Sequence, residues 1–189
     1  MNAISTRDQI VAAADELFYQ NGFEFTSFAD IAQAVQISRG NFYYHFKSKD
    51  EILAAVIQRR LEKTRAMLAQ WQQQGATPAD RIKHFIHILI TNQAKILLYG
   101  CPVGTLTTEL SKLGHAALPD ASEVFTLFRD WLRTQFVELG HRKEADRLAM
   151  HVLARSQGVA TLANAFNDET FLRQEVRLLC DWLDGYVKK

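Results

Sequence analysis

The sequence has 189 residues, of which 48% are apolar and 23% are charged, and its formal net charge is +1. This composition supports a hydrophobic core and argues against a disordered chain. No apolar run approaches the roughly 18 residues of a membrane-spanning helix, and no secretory signal is visible, so we expect a cytoplasmic protein with no membrane partner.

Three short helices are predicted within residues 1–50, which we expect to form one domain. The first is capped by Thr6, carries an apolar stripe at helical spacing and ends at an Asn-Gly pair, since glycine readily adopts the conformation that stops a helix. The second follows Ser27, which has capping-box spacing to Asp30. Ser38 caps the third, in which Phe42 and Phe46 are expected to point inward.

The remaining sequence predicts longer helices separated by short interruptions. A fourth helix over about residues 48–73 opens with the capping-box pair Ser48 and Glu51, and it connects the first domain to a second over residues 75–189. Further helices are expected over about residues 78–98, 105–113, 119–139, 142–166 and 168–188. Since no β-hairpin signal is present, the predicted fold class is all-α with about nine helices.

The segment from Thr26 to Lys49 predicts a helix-turn-helix, because two short helices flank a tight turn and the second helix is too polar on one face to be buried. The global charge does not favour DNA binding, since residues 1–50 contain four basic and six acidic side chains. A DNA-binding face is therefore expected to be small and local. Its polar and aromatic members are Ser38, Arg39, Gly40, Asn41, Tyr43, Tyr44, His45, Lys47 and Lys49.

The stretch Ser38–Leu53, read as SRGNFYYHFKSKDEIL, resembles the recognition-helix signature of the TetR family, and the upstream stretch Gly22–Ala32 resembles that family's approach to its second helix. The resemblance covers about residues 6–60. It implies an all-α repressor with an N-terminal three-helix helix-turn-helix domain and a C-terminal ligand-binding and dimerisation domain. Such a protein would bind a palindromic double-stranded DNA operator as a homodimer.

The resemblance also implies roles for single residues. Arg39, Gly40 and Asn41 match positions that reach base edges, with Arg39 able to fork onto a guanine and Gly40 permitting close approach of the backbone. The positions that usually hold phosphates match Tyr43, Tyr44, His45 and Lys49, and those that anchor the second helix on the DNA backbone match Thr26 and Ser27. Simpler interpretations remain for some of these residues. Thr26, Ser27 and Ser38 would act only as helix caps, His45 would be a packed or solvated histidine, and Tyr43 would cover the core.

In the C-terminal domain, the resemblance implies a dimer interface on the last two helices and an inducer pocket among the middle ones. The interface candidates are Val152, Val159, Leu179, Trp182, Leu183 and Tyr186. The pocket candidates combine apolar and polar side chains, as small-molecule sites do: Phe85, Leu89, Asn92, Leu106, Thr107, Phe128 and Trp131. Ordinary core packing within one chain is the alternative for both sets.

The element Gly100-Cys101-Pro102 resembles a subgroup of the family in which some members sense electrophiles or oxidants at the matching cysteine. A thiolate at a helix N-terminus is favoured by the helix dipole, so Cys101 is a sensor candidate. The alternative is a small buried side chain in a tight turn. Cys101 and Cys180 lack metal-ligand spacing and are expected to be thiols rather than a disulfide, with no metal or cofactor.

Two other functions stay open on the sequence alone. The first is a DNA-binding protein with the same helix-turn-helix but an architectural role. The second, more remote, is a thiol-dependent enzyme that uses Cys101 with a histidine. Since no nucleophile elbow, phosphate loop, zinc motif or paired catalytic carboxylates are found, we expect no catalytic residues. The inducer, a small molecule or an electrophile, cannot be named from the sequence.

Overall fold

The computed structural model describes residues 5–187, apart from the side chain of Arg39, and this part of the chain forms ten α-helices and no strand. The all-α fold class is therefore confirmed. In chain order the helices are α1 (Thr6–Asn21), α2 (Phe28–Val35), α3 (Arg39–His45), α4 (Lys49–Gln74), α5 (Pro78–Thr91), α6 (Gln93–Tyr99), α7 (Pro102–Lys112), α8 (Leu118–Glu138), α9 (Ala145–Phe166) and α10 (Glu169–Asp184).

The helix count exceeds the predicted nine because the expected fifth helix is divided at Asn92. The Asn92 side-chain amide donates to the carbonyl of Ile88 at 3.0 Å, and the Asn92 N–H donates to the same carbonyl. An asparagine side chain that bonds to nearby backbone competes with continuation of a helix. The apolar periodicity continues through this point, so the sequence pattern does not show the break.

The start of α1 also differs from the prediction. Its cap is Ser5, whose hydroxyl oxygen accepts the N–H of Asp8 at 3.1 Å, and Thr6 is the first helical residue. Both residue types are favourable caps, so composition alone could not distinguish neighbouring positions. At the other end, Gly22 has φ of +88°, and its N–H donates to the carbonyl of Phe18.

The described residues divide into two units. The first comprises the chain up to Lys63 together with Thr105–Ser122, so it includes most of α7 in addition to α1, α2, α3 and the start of α4. The sequence-based boundary at residue 50 did not include the second of these segments. The core of the first unit is made by fully buried apolar side chains, which include Ile10, Ala14, Ile31, Phe42, Phe46, Ile52, Leu53 and Val56.

The second unit comprises Thr64–Gly104 and the chain from Glu123 onward. Helix α5 packs against α10 and α9, and α6 packs against α9. Its fully buried side chains include Ile82, Ile86, Leu132, Phe136, Leu148, Val152 and Leu183. Among the described residues, no helix combines the length and apolarity that crossing a membrane requires.

Candidate nucleic-acid interface

The turn between α1 and α2, residues 22–27, is fixed from within the first unit. Thr26 is 1% exposed, and its hydroxyl donates to the carbonyl of Gly22 at 2.7 Å. We had expected Thr26 to anchor a phosphate, but this side chain is buried and its hydroxyl is already committed. Its role in the structure is to close the turn that precedes α2.

Ser27 caps α2 as the sequence spacing indicated. Its hydroxyl oxygen accepts the N–H of Asp30 at 3.2 Å, and the Asp30 carboxylate accepts the N–H of Ser27 at 2.8 Å. The Ser27 hydroxyl and N–H lower the pKa of Asp30, because both bonds favour the ionised carboxylate. Ser27 is exposed, so it could meet a phosphate at the N-terminus of α2.

Helix α3 has two contrasting faces. Ser38 caps it by accepting the N–H of Asn41 at 3.3 Å, and Phe42 and Phe46 are buried beneath it. The predicted contact residues Gly40, Asn41, Tyr43, Tyr44 and Lys47 are all exposed, whereas His45 is half-buried. The side chain of Arg39 lies outside the described part of the chain.

Two details of the exposed face of α3 bear on DNA binding. Tyr44 is 78% exposed, and Tyr43 stands edge-on to the Phe28 ring at 5.6 Å, which orients its phenol. A Cβ built on Gly40 would have no atom within 4 Å. No packing reason within the described structure therefore requires glycine at position 40, and the small residue leaves the helix backbone open to an approaching molecule.

Lys49 has a different environment from the one we expected. Its ammonium donates to the carbonyl oxygens of Phe23 and Glu24, both at 3.0 Å, and lies 3.9 Å from the Glu24 carboxylate. It also lies 4.5 Å from the centre of the Phe23 ring. The predicted phosphate ligand is thus bonded within the first unit. Lys47 is the more exposed of the two lysines, and its ammonium donates to the single carbonyl of Tyr43.

One residue of this region was missed by sequence reasoning. The carboxylate of Glu109, on α7, accepts the N–H of Phe23 and the N–H of Glu24, each at 2.9 Å. The bonds join positions 86 and 85 apart in the sequence, and their donors belong to the backbone. No residue pattern could therefore have indicated them.

The predicted effector residues are divided between the two units. In the second unit, the rings of Phe85 and Phe128 pack edge-on at 5.1 Å, and both side chains are buried. Trp131 lies 5.8 Å from the Trp71 ring, and its buried indole N–H has no acceptor among the described residues. Leu89 is also buried in this unit, whereas Leu106 and Thr107 belong to the first unit.

Asn92 does not fit the predicted pocket, because it is exposed and its amide is bonded to the carbonyl of Ile88 on its own helix. Its position at a helix break explains both facts. The aromatic pair Phe85 and Phe128 remains the apolar part of the predicted pocket.

Cys101 is half-buried immediately before Pro102, the first residue of α7. A Cβ on Gly104 would lie 2.7 Å from Oε1 of Gln157, so the glycine leaves space for that amide, and it would be in ordinary contact with the Cys101 sulfur at 3.9 Å. Burial raises the pKa of the Cys180 thiol and so favours its protonated, less reactive form. Among residues 5–187, no group of three or more potential metal ligands is present.

The predicted dimer interface needs correction. Val152, Val159, Leu179 and Leu183 are at most 3% exposed within a single chain, so their side chains form its core. Both faces of α9 are apolar in sequence, which is why the core face could be taken for the interface. Trp182 and Tyr186 are half-buried, with ring centres 4.8 Å apart.

A different face of α9 is apolar and exposed. Its residues follow one another at four-residue spacing, so neighbouring members lie on the same face and the row winds gradually around the helix. They are Met150, Ala154, Gly158, Leu162 and Phe166, and we call them the α9 stripe. On α10, Leu178 is also exposed.

Comparison with known proteins gives matches along most of the chain. A family model described as bacterial regulatory proteins, tetR family, matches residues 10–56, and one described as transcriptional regulator LmrA/YxaF-like, C-terminal domain, matches residues 78–177. An uncharacterised HTH-type transcriptional regulator in the lacX 3′ region of Lactococcus lactis is 28% identical over 182 residues, 94% of this chain and 93% of that protein.

Two further relatives are similar at comparable identity. The HTH-type transcriptional regulator QacR of Staphylococcus aureus is 31% identical over 134 residues, which is 71% of this chain and 60% of QacR. The crystal structure of a TetR transcriptional regulator from Legionella pneumophila matches with a TM-score of 0.86 and 26% identity over 100% of both chains.

Proposed function

The chain belongs to the TetR family of bacterial transcriptional regulators, and we propose that it is a repressor that a small molecule, or modification of Cys101, releases from its operator. As a member of this family it binds operator DNA and acts as a dimer. The proposal concerns the residues that read the operator, the surface that joins two copies and the signal that ends repression.

The observation that carries the DNA-binding proposal is the two-sided character of α3. Phe42 and Phe46 fix the helix on the core, while Asn41, Tyr43 and Tyr44 point hydrogen-bonding groups to solvent. A helix of this kind presents its N-terminal residues to base edges in the major groove. We assign Arg39, Gly40 and Asn41 to base edges, and Tyr43, Tyr44, His45 and Lys47 to phosphates.

For the dimer, we propose that the α9 stripe, with Leu178 of α10, forms the contact between two copies. Its apolar side chains are exposed on a single chain, and burial of apolar surface is the main driving force of association. A two-fold dimer places two α3 helices on two half-sites, so the operator should be palindromic.

For release, two triggers remain in the proposal. In the second unit, Phe85 and Phe128 offer an apolar contact to a small molecule. The indole N–H of Trp131 would donate a hydrogen bond to a polar atom of that molecule. Alternatively, the Cys101 thiol adds to the carbon–carbon double bond of an electrophile. The new bond joins sulfur to one carbon, and the thiol proton ends on the other.

Selection of duplexes from a random-sequence pool tests the DNA-binding proposal directly. The dimer should enrich a palindrome, and its affinity should fall steeply with salt because phosphate contacts dominate binding. Arg39→Ala should relax the sequence choice at a cost of about 1–3 kcal/mol. A protein that enriches no sequence would refute the operator-binding role.

The selected duplex then serves to test the trigger. N-ethylmaleimide should release the wild-type protein but leave Cys101→Ser bound, with Cys180→Ser as the matched control that responds like the wild type. If Cys101→Ser is released equally, the thiol is not the trigger and the small-molecule alternative is favoured.

A further inference from the structure

Helix α7 makes a charged contact with the backbone of the turn that precedes the helix-turn-helix, and both partners belong to the first unit. Each oxygen of the Glu109 carboxylate accepts one N–H, from Phe23 and from Glu24, at 2.9 Å. Because these two donors lie beyond the end of α1, no helical carbonyl accepts their N–H groups. Hydrogen bonds to an ionised acceptor are stronger than neutral ones, so Glu109 holds the turn firmly.

The carbonyl side of the same turn is held by a cation. Lys49 donates to the carbonyl oxygens of Phe23 and Glu24 at 3.0 Å. The two residues are therefore bonded on their N–H groups to an anion and on their carbonyl groups to a cation. A displacement of either charged side chain would break two hydrogen bonds to the turn or move the turn with it.

Gly22 fits this arrangement in two ways. Its φ of +88° lies in the region that favours glycine, and a Cβ at this position would approach Oε1 of Glu109 to 3.0 Å. The ring of Phe23 packs edge-on to His115, in the segment that follows α7, at 5.2 Å. The part of the chain from Thr105 to Ser122 thus contacts the turn through both a charge and a ring.

From these contacts we infer that Glu109 is a positioning residue for operator binding, through which α7 holds α2 and α3 in the geometry that reads DNA. The turn it fixes ends at Ser27, the cap of α2, so movement of the turn changes the direction in which α2 begins. This inference rests on the proposed operator-binding function. Glu109 itself touches no DNA in this account.

The test compares Glu109→Gln with Glu123→Gln, which removes the same charge from an exposed position of α8. The probe is the duplex that the wild-type protein selects from a random pool. Removal of a negative charge by itself favours DNA binding, so Glu123→Gln should bind as tightly as the wild type or slightly more tightly. Glu109→Gln should bind about tenfold more weakly or worse, because the amide presents a donor to one of the two N–H groups.

Two readouts separate positioning from a direct contact or a merely structural effect. The slope of log affinity against log salt should be no steeper than in the wild type, since the substitution adds no phosphate contact. Exchange of the Phe23 and Glu24 amide hydrogens, followed by NMR, should be faster in Glu109→Gln than in Glu123→Gln. Should Glu109→Gln fail to fold, Glu109→Asp keeps the charge, withdraws the carboxylate by one methylene and should give the same loss of affinity.

Wild-type affinity in any folded Glu109 variant would overturn the inference. A steeper salt slope would also overturn it, because Glu109 would then be acting on the phosphates through its own charge. These outcomes differ from failure of the proposed function, in which the wild-type protein itself would select no duplex.

Discussion

The ammonium of Lys49 lies 3.0 Å from the carbonyl oxygen of Phe23 and 4.5 Å from the centre of the same residue's ring. Its side chain is 27% exposed, although it stands at the end of the segment expected to contact DNA. The cation therefore stabilises the turn before α2, the same turn that Glu109 holds from its N–H side.

Replacement of Lys49 should lower stability, whereas replacement of Lys47 should act mainly on DNA binding. Lys49→Ala leaves two carbonyl groups without their charged donor, and we expect a loss of about 1–3 kcal/mol in the free energy of unfolding. Lys47→Ala removes only a bond to the exposed carbonyl of Tyr43, so it should change unfolding little and lower the salt slope of operator binding by about one. Urea unfolding and salt-dependent binding measure the two effects. Unchanged stability and a reduced salt slope in Lys49→Ala would instead assign Lys49 to a phosphate contact.

Gly40→Ala should separate operator affinity from stability. A Cβ at this position meets no atom of the described structure, and alanine favours a helix over glycine by about 0.5–1 kcal/mol. The melting temperature should therefore stay equal or rise. If the backbone of α3 approaches a base pair here, operator affinity should fall in the same variant. Unchanged affinity with raised stability would show that position 40 does not approach the DNA.

The sequence predicted those parts of the site in which the interacting residues are only a few positions apart along the chain. The capping box of Ser27 and Asp30 joins residues three apart, and it formed where the spacing indicated. The burial of Phe42 and Phe46 on one side of α3 followed from helical periodicity in the same way. These features depend on local geometry that any helix shares.

Other features depend on contacts between distant segments, and the sequence did not reveal them. Thr26 was expected to face a phosphate, but the end of α1 lies close enough for its hydroxyl to bond to Gly22. The exposed and buried faces of α9 are both apolar, so only packing against α5, α6 and α10 determines which one is covered. Periodicity identifies a face but cannot identify its neighbour.

The α9 stripe gives a prediction with a closely matched control. Leu162 and Leu113 are each 45% exposed, but only Leu162 lies on the stripe. Leu162→Glu should shift the protein from dimer to monomer in sedimentation equilibrium and weaken operator binding accordingly, because it places a charge in an apolar contact. Leu113→Glu should leave the dimer intact. If the two variants sediment alike, the two copies meet through another surface.

Acid should remove the contribution of Asp30 to stability. Its pKa is lowered by bonds from Ser27, so the stabilisation is complete above the ordinary pKa of 3.8 and is lost as the pH falls through the lower value in the folded protein. The difference in melting temperature between wild type and Asp30→Asn should therefore be constant from pH 7 to pH 5 and shrink below the ordinary pKa.

Asp80 offers an internal replicate of this experiment, because Thr77 lowers its pKa through the same kind of capping box. Asp80→Asn should show the same pH dependence in the second unit. A melting difference that grows on acidification, in either variant, would contradict the assignment of these carboxylates as ionised caps.

The inclusion of Thr105–Ser122 in the first unit has a practical consequence for building hybrid regulators. A chimera that joins the N-terminal domain of this protein to a foreign sensor domain at α4 would leave Glu109 and His115 behind. The transplanted turn would then meet whatever residues the recipient carries at those positions. A hybrid that retains operator binding should therefore exchange both segments together, even though more than forty residues of sequence separate them.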